Sequence, residues 1–146
     1  MPPTEDLELS LRGAALRVTR PRLAVLDVLR GHAHATTDEV LRDVRAQLPE
    51  VSHQAVYDVL RVLTTAGLVR RIEPQGSVAR YEVRVGDNHH HLVCRACGSV
   101  VDIDCSTGVA PCLEAVDLDD RARGFVVDEA EVTFWGLCDA CGTTPT

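Results

Sequence analysis

SHQAVYDVLRVLTTAGLVRRIEPQGSVARYEV, residues 52–83, is the stretch whose reading decides the fold. Its first part has the spacing of an amphipathic helix. Val56, Val59, Leu60 and Leu63 fall on one face, Ser52 offers a hydroxyl N-cap, and Gly67 can take the left-handed backbone that closes a helix. The second part changes period. GLVRRIE and ARYEVRV alternate as strands do, and PQGS between them is a turn sequence. A helix running directly into a β-hairpin is expected.

Upstream, VTRPRLAVLDVLRG (18–31) places Leu23, Leu26, Val28 and Leu29 at near-helical spacing, with Pro21 in a permitted first turn and Gly31 as a stop. TTDEVLRDVRAQLP (36–49) opens with Thr36 and Glu39 as a capping box. Val40, Leu41, Val44 and Leu48 form its apolar stripe, and Pro49 ends it. Three helices followed by a hairpin form the pattern of a winged helix-turn-helix, and the short turn PEV (49–51) makes 52–65 the recognition helix. His53, Gln54, Tyr57 and Arg61 lie on its polar side and are the candidate DNA-binding residues. Gln and Arg reach base edges or phosphates, and a Tyr ring packs on a thymine methyl. The competing reading is an ordinary solvated helix face, and Asp58 opposes phosphate binding.

Downstream, DNHHHLVCRACG (87–98) mixes hard and soft metal donors. Cys94 and Cys97 form one CxxC pair, Cys138 and Cys141 another, and each is followed by a glycine suited to a zinc knuckle (Gly98, Gly142). Two such pairs in a small chain point to one structural zinc with four thiolates rather than to a redox dithiol. The histidines need another ion. HHHLVC alternates as a strand, so His89 and His91 project to one face and His90 to the other. Glu82 on the preceding strand, and Asp102 and Asp104 on the GSVVDID strand, supply carboxylates. A His/carboxylate set suits Fe(II), Mn(II) or a second zinc. A solvated histidine cluster is the bland alternative. Cys105 and Cys112 fit no zinc spacing and read as spectator thiols. CLEAVDLDDRARG (112–124) is expected as a short helix, FVVDEAEVTFWGLC (125–138) as two strands' worth of alternation, and Phe134 and Trp135 as core or interface residues.

The bulk numbers bound these readings. The chain of 146 residues carries a net charge of −7, and all fifteen basic residues are arginine. Residues 1–80 hold eleven arginines against ten acids, whereas 81–146 hold four against twelve. Any nucleic-acid contact must therefore come from a local patch in the first half. No apolar run is long enough to span a membrane, and MPPTEDLELSLRG lacks the pattern of a signal peptide. A cytoplasmic, non-membrane protein is expected. No nucleophile–base pairing or cofactor motif stands out, so an enzyme is not expected.

In order, VTRPRLAVLDVL, HATTDEVL, VSHQAVYDVLRVLTTAGLV, RYE, HHHLVCRACG and CDAC resemble the ferric uptake regulator (Fur) family over about residues 14–142. The resemblance implies an α+β protein: an N-terminal winged helix-turn-helix domain (1–83), a hinge (84–88), and a small α/β dimerisation domain with a three-stranded sheet (89–146). It implies homodimeric, metal-dependent repressors of palindromic double-stranded operator DNA. It matches Cys94, Cys97, Cys138 and Cys141 to a structural Zn(II). His34, from the loop before Thr36, joins Glu82, His89, His91 and Asp102 as ligands of a regulatory Fe(II) or Mn(II), alternatively a second Zn(II) or Ni(II). Tyr57 matches the family's recognition-helix tyrosine. A third site of many iron-uptake repressors is expected to be absent, because Ala130 stands at its histidine position. DIDCSTGVAPCLEA with QAVYDVL looks most like the peroxide-responsive branch that represses catalase genes. Two departures stand against the match: AVYD replaces the usual TVYR or TVYN, and Glu82 stands where well-known peroxide sensors have Asp. The implied function is a peroxide-sensing repressor, with an iron, zinc or nickel uptake regulator as the alternative.

Overall fold

The computed structural model describes residues 3–83, 89–104, 122–126 and 131–142. The chain divides into two compact units, Met1–Val85 and Gly86–Thr146.

The first unit is helical with a small sheet. Its order is α1 (Pro3–Gly13), α2 (Arg20–Gly31), β1 (Ala35–Thr36), α3 (Thr37–Gln47), α4 (His53–Thr65), β2 (Val69–Ile72) and β3 (Arg80–Val83). The three expected helices form, two of them from the caps the sequence offers, and α2 has a further cap at Thr19. The Thr19 side chain accepts from the Arg22 amide at the head of α2. The capping box of α3 is complete: Thr36 N–H donates to Glu39 Oε2 at 2.8 Å, and Glu39 N–H donates to Thr36 Oγ1 at 3.3 Å. The bond from the Thr36 amide holds the Glu39 carboxyl below its ordinary pKa. Ser52 Oγ accepts from the Ala55 amide at 3.0 Å and starts α4. At the other end of α4, Gly67 has φ +75°, and the Leu68 amide returns to the Leu63 carbonyl at 3.0 Å. This left-handed closure turns the chain sharply from helix into strand.

Two elements exceed the expectation. Residues 3–13 form a fourth helix, whose Leu7 and Leu11 are buried against the others. Leu9, the third leucine of this segment, is 53% exposed. And the hairpin is joined by β1, giving a three-stranded sheet in the order β1-β3-β2. One core serves all of these elements. Val25, Leu29, Val40, Val44, Val56 and Leu63 are fully enclosed within it, with Val69 and Tyr81 contributed by the sheet.

The second unit is built on β4 (His89–Cys94), β5 (Val100–Asp104) and β6 (Thr133–Gly136), with a short α5 (Asp139–Gly142). The sheet order is β5-β4-β6, antiparallel on one side of β4 and parallel on the other. This is the expected three-stranded sheet. The expected helix at 112–124 lies outside the described residues except for 122–124, which make a single tight turn. Cys105, Cys112 and Ala130 also lie outside them. Among the described residues, no helix is long and apolar enough to cross a membrane.

Candidate metal centres and nucleic-acid interface

The thiolate cluster is assembled by β4, β6 and the turns that leave them. Parallel pairing sets Cys94 beside Gly136, two residues before Cys138. The Arg95 amide donates to the Gly136 carbonyl at 2.9 Å, so the two knuckles leave the sheet side by side. Each knuckle is a tight turn. The Gly98 amide donates to the Cys94 carbonyl at 3.0 Å with Gly98 at φ +75°, and the Gly142 amide donates to the Cys138 carbonyl at 2.7 Å. The Arg95 guanidinium lies 5.3 Å from the centre of the Trp135 ring and bridges the strands on which the knuckles are mounted.

The result is four sulfurs within 4.8 Å of one another, from Cys94, Cys97, Cys138 and Cys141. All four are free thiols rather than disulfides. Cys97 Sγ and Cys138 Sγ are 3.8 Å apart. A tetrahedral zinc with bonds near 2.3 Å requires sulfurs roughly 3.8 Å apart, so the donor set and its spacing fit that ion. The electrostatics are prepared for it. Backbone amides, first that of Cys138 at 3.4 Å and then those of Cys97 and Ala96, lower the Cys94 thiol to about 6. Hydrogen bonds to the sulfurs of Cys138, Cys94 and Cys97 push Cys141 up to about 12. Cys94 is thus the readiest to supply a thiolate, whereas Cys141 needs a cation to draw off its proton.

The nitrogen and oxygen donors form a pair in each unit. In the first, the β1–β3 ladder pairs Ala35 with Tyr81 and Thr36 with Arg80, so continuing the register one residue brings His34 to Glu82. His34 Nε2 lies 3.0 Å from Glu82 Oε2, with the side chains only 12% and 5% exposed. His34 has φ +62°, a strained value for a residue with a Cβ, and Arg80 Nη1 donates to its carbonyl at 3.1 Å. The charged form of an enclosed carboxylate is stabilised by a cationic partner, and a metal ion can fill that role. In the second unit, His91 and Asp102 are direct partners across β4 and β5. His91 Nε2 lies 3.4 Å from Asp102 Oδ1, and the His91 side chain is fully buried. His89 stands in register with Asp104, and its side chain falls outside the described part of the chain. No thiol takes part in either pair, so hard and soft donors are sorted into separate groups.

On α4, Val56, Leu60 and Leu63 are buried and Val59 is partly so, which leaves His53, Gln54, Tyr57 and Arg61 on the exposed side. Tyr57 is 49% exposed and the Arg61 side chain 68%. Beside them a cleft of about 190 Å³ is lined by Tyr57, Arg61, Thr64, Thr65, Arg71 and Tyr81. Arg71 and Tyr81 are direct partners across the wing strands. Sequence reasoning did not single out these two wing residues. Taking PQGS (74–77) as the whole turn would set Arg71 opposite Arg80; the observed register is shifted by one residue and pairs Arg71 with Tyr81, so the sequence alone could not find them. Two guanidinium groups flank this cleft, each with a carboxylate near it: Arg71 Nη1 lies 2.7 Å from Glu73 Oε2 and Arg61 Nη2 3.8 Å from Asp58 Oδ1.

Comparison with known proteins gives these features a common frame. The Ferric uptake regulator family profile matches residues 13–108. The chain is 59% identical over 141 residues to the Transcriptional regulator FurA of Mycobacterium tuberculosis, covering 97% of this chain and 93% of that one. It is 64% identical over 130 residues to Ferric uptake regulation protein 1 of Mycolicibacterium fortuitum, covering 89% and 78%. Its fold is similar to the crystal structure of the Campylobacter jejuni peroxide stress regulator, with a TM-score of 0.69 and 25% identity over 97% of this chain and 100% of that one. The winged helix, the four-thiol cluster and the histidine–carboxylate pairs thus sit in a chain that belongs to the ferric uptake regulator family, a DNA-binding transcriptional regulator and not an enzyme.

Proposed function

We propose that this protein is a metal-dependent, peroxide-sensing repressor that binds palindromic operator DNA as a homodimer in the cytoplasm, at genes of the oxidative-stress response such as catalase. Cys94, Cys97, Cys138 and Cys141 hold a structural zinc. His34 and Glu82, with His89, His91 and Asp102 from beyond the hinge at 84–88, hold one regulatory Fe(II) or Mn(II). A ligand set drawn from both sides of a hinge favours the arrangement in which all five residues meet, and the metal thereby stabilises the DNA-binding form. His53, Gln54, Tyr57 and Arg61 meet the major groove, one helix per half-site.

The observation that carries this reading is the sorting of donors. The thiols gather in one cluster, leaving an imidazole beside a carboxylate in each unit, a set that suits Fe(II) or Mn(II). Iron held there would promote cleavage of the peroxide O–O bond: one oxygen would be added to the His34 or His89 ring and the other leave as water, the two-electron oxidation of the imidazole matching the two-electron reduction of peroxide. The oxidised ring would lose its value as a ligand and free the operator. For the dimer, the support is the outer face of the second sheet. Leu92 pairs with Val101 on one side and Phe134 on the other, so the three share a face, and they are 37%, 54% and 48% exposed. An apolar patch on a sheet calls for a partner, and a second copy provides one.

A second reading has equal support among relatives. Metal supply rather than peroxide is the signal, as the name of the Mycolicibacterium fortuitum relative suggests, with iron, zinc or nickel as the regulatory ion. One experiment separates the two. Operator binding is measured with Fe(II)- and Mn(II)-loaded protein before and after a low dose of peroxide. Loss of binding with iron alone, with one oxygen added to a peptide containing His34 or His89, is the expected result. Unchanged binding with both metals would leave the uptake regulator, and oxygen found only on cysteines would replace the histidine chemistry with a thiol switch.

A further inference from the structure

One residue of α4 is left unexplained by the readings above. Asp58 is an acid on the face offered to a polyanion, where it weakens phosphate binding. Its contacts are specific. Gln54 Nε2 donates to Asp58 Oδ1 at 3.1 Å, one helical turn away, and Arg61 Nη2 lies 3.8 Å from the same oxygen. Both partners are candidate groove residues, and the Asp58 side chain is half exposed beside them.

An ionised carboxylate only accepts hydrogen bonds, so it fixes which end of the Gln54 amide faces it. The nitrogen end turns to Asp58 and gives up one N–H. The other N–H and the carbonyl oxygen remain as a donor–acceptor pair. That pair matches adenine in the major groove, whose N7 accepts and whose N6 amino group donates. A glutamine free to rotate end for end would present its donor and acceptor in either order and so select less sharply. The same carboxylate draws on Arg61 and tempers its attraction to any phosphate, which lowers sequence-independent binding.

We propose that Asp58 is a positioning residue for specificity: it locks the Gln54 side chain in the orientation that reads an adenine in each half-site, while restraining Arg61. This rests on the reading of α4 as the recognition helix.

The test is selection from a pool of randomised duplexes with full-length Mn(II)-loaded protein, comparing wild type with Gln54→Ala, Asp58→Ala and Asp58→Asn. Wild type should enrich one adenine per half-site that disappears with Gln54→Ala. Both Asp58 variants should relax the preference at that same position, on the order of tenfold for one bidentate contact. Their binding to unselected DNA should hold or rise, with melting temperature and zinc content unchanged. A role in helix stability alone would alter melting and leave base preference intact. The proposal is overturned if either Asp58 variant selects that adenine as strongly as wild type. It is also overturned if they lose a cytosine that Gln54→Ala retains, since Asp58 would then read a base itself. If Gln54→Ala changes nothing, the proposal fails, and Tyr57→Ala and Arg61→Ala show how far: weakened binding in these keeps α4 as the recognition helix, whereas wild-type binding removes that reading too.

Discussion

His34 Nε2 lies 3.0 Å from Glu82 Oε2, joining the loop ahead of α3 to the third strand of the wing sheet. The contact is enclosed and its histidine backbone strained, features of a residue held in place for its side chain. His34→Ala should keep the zinc and the dimer yet lose metal-stimulated operator binding. The metal's effect should fall at least ~10-fold, the lower end of what loss of even an outer-shell partner costs. Titrating operator with Mn(II) in both proteins checks this. An undiminished response would remove His34 from the ligand set.

Cys138→Ser should abolish zinc binding and lower the melting temperature, because a structural zinc contributes folding energy directly. The protonation pattern adds a pH dependence. Cys94 sits at about 6, below an ordinary thiol, so what its thiolate contributes is complete above the ordinary value and is lost as pH falls through 6. Cys141, pushed up to about 12, holds its proton at neutral pH. Zinc loading at pH 7 should therefore release protons, seen as a buffer-dependent heat in calorimetry, and zinc affinity should weaken as pH is lowered. Proton-neutral loading, or full zinc in Cys138→Ser, would contradict the four-thiolate site.

On the recognition helix, Tyr57→Ala or Arg61→Ala should weaken operator binding by ~1–3 kcal/mol each, about 5- to 150-fold. Tyr57 is half exposed and Arg61 mostly so, and neither belongs to the enclosed core, so melting and metal content should change little. A gel-shift titration at fixed salt distinguishes these outcomes, and Arg61→Ala should also flatten the salt dependence if the lost contact is to phosphate.

The apolar sheet face gives a separate test. Phe134→Asp places a charge opposite Leu92, at the centre of the exposed patch. In a two-fold interface the change is made twice, and losing about 1.5–3 kcal/mol of burial per side weakens dimerisation roughly hundredfold or more. Sedimentation equilibrium should show monomers that still carry zinc. A dimer as stable as wild type would place the interface elsewhere.

Much of the fold is legible in local sequence because local physics fixes it. The caps at Thr36 and Ser52, Pro21 in a first turn, the left-handed Gly67 and the change of period after it act over a few residues, and the helices and strands form where those signals stand. The two CxxC knuckles are equally local, since each is a tight turn closed by its own backbone. The first helix was not legible. Leu7, Leu9 and Leu11 alternate, which is the strand period, and burial of Leu7 and Leu11, one helical turn apart, against the other helices selects a helix instead.

Tertiary structure alone decided the partnerships. Nothing near His34 in the chain marks it as more than a loop histidine, and only resemblance to a family placed it among the ligands. Its meeting with Glu82, 48 residues on, follows from the β1–β3 register, and β1 is two residues long with no pattern to announce it. Likewise the sulfur of Cys94 reaches Cys138 because β4 and β6 run parallel, a pairing that depends on long-range contacts. Sequence determines which donors exist and which short elements carry them. Strand register, set by the burial of whole faces in a shared core, determines which donors meet.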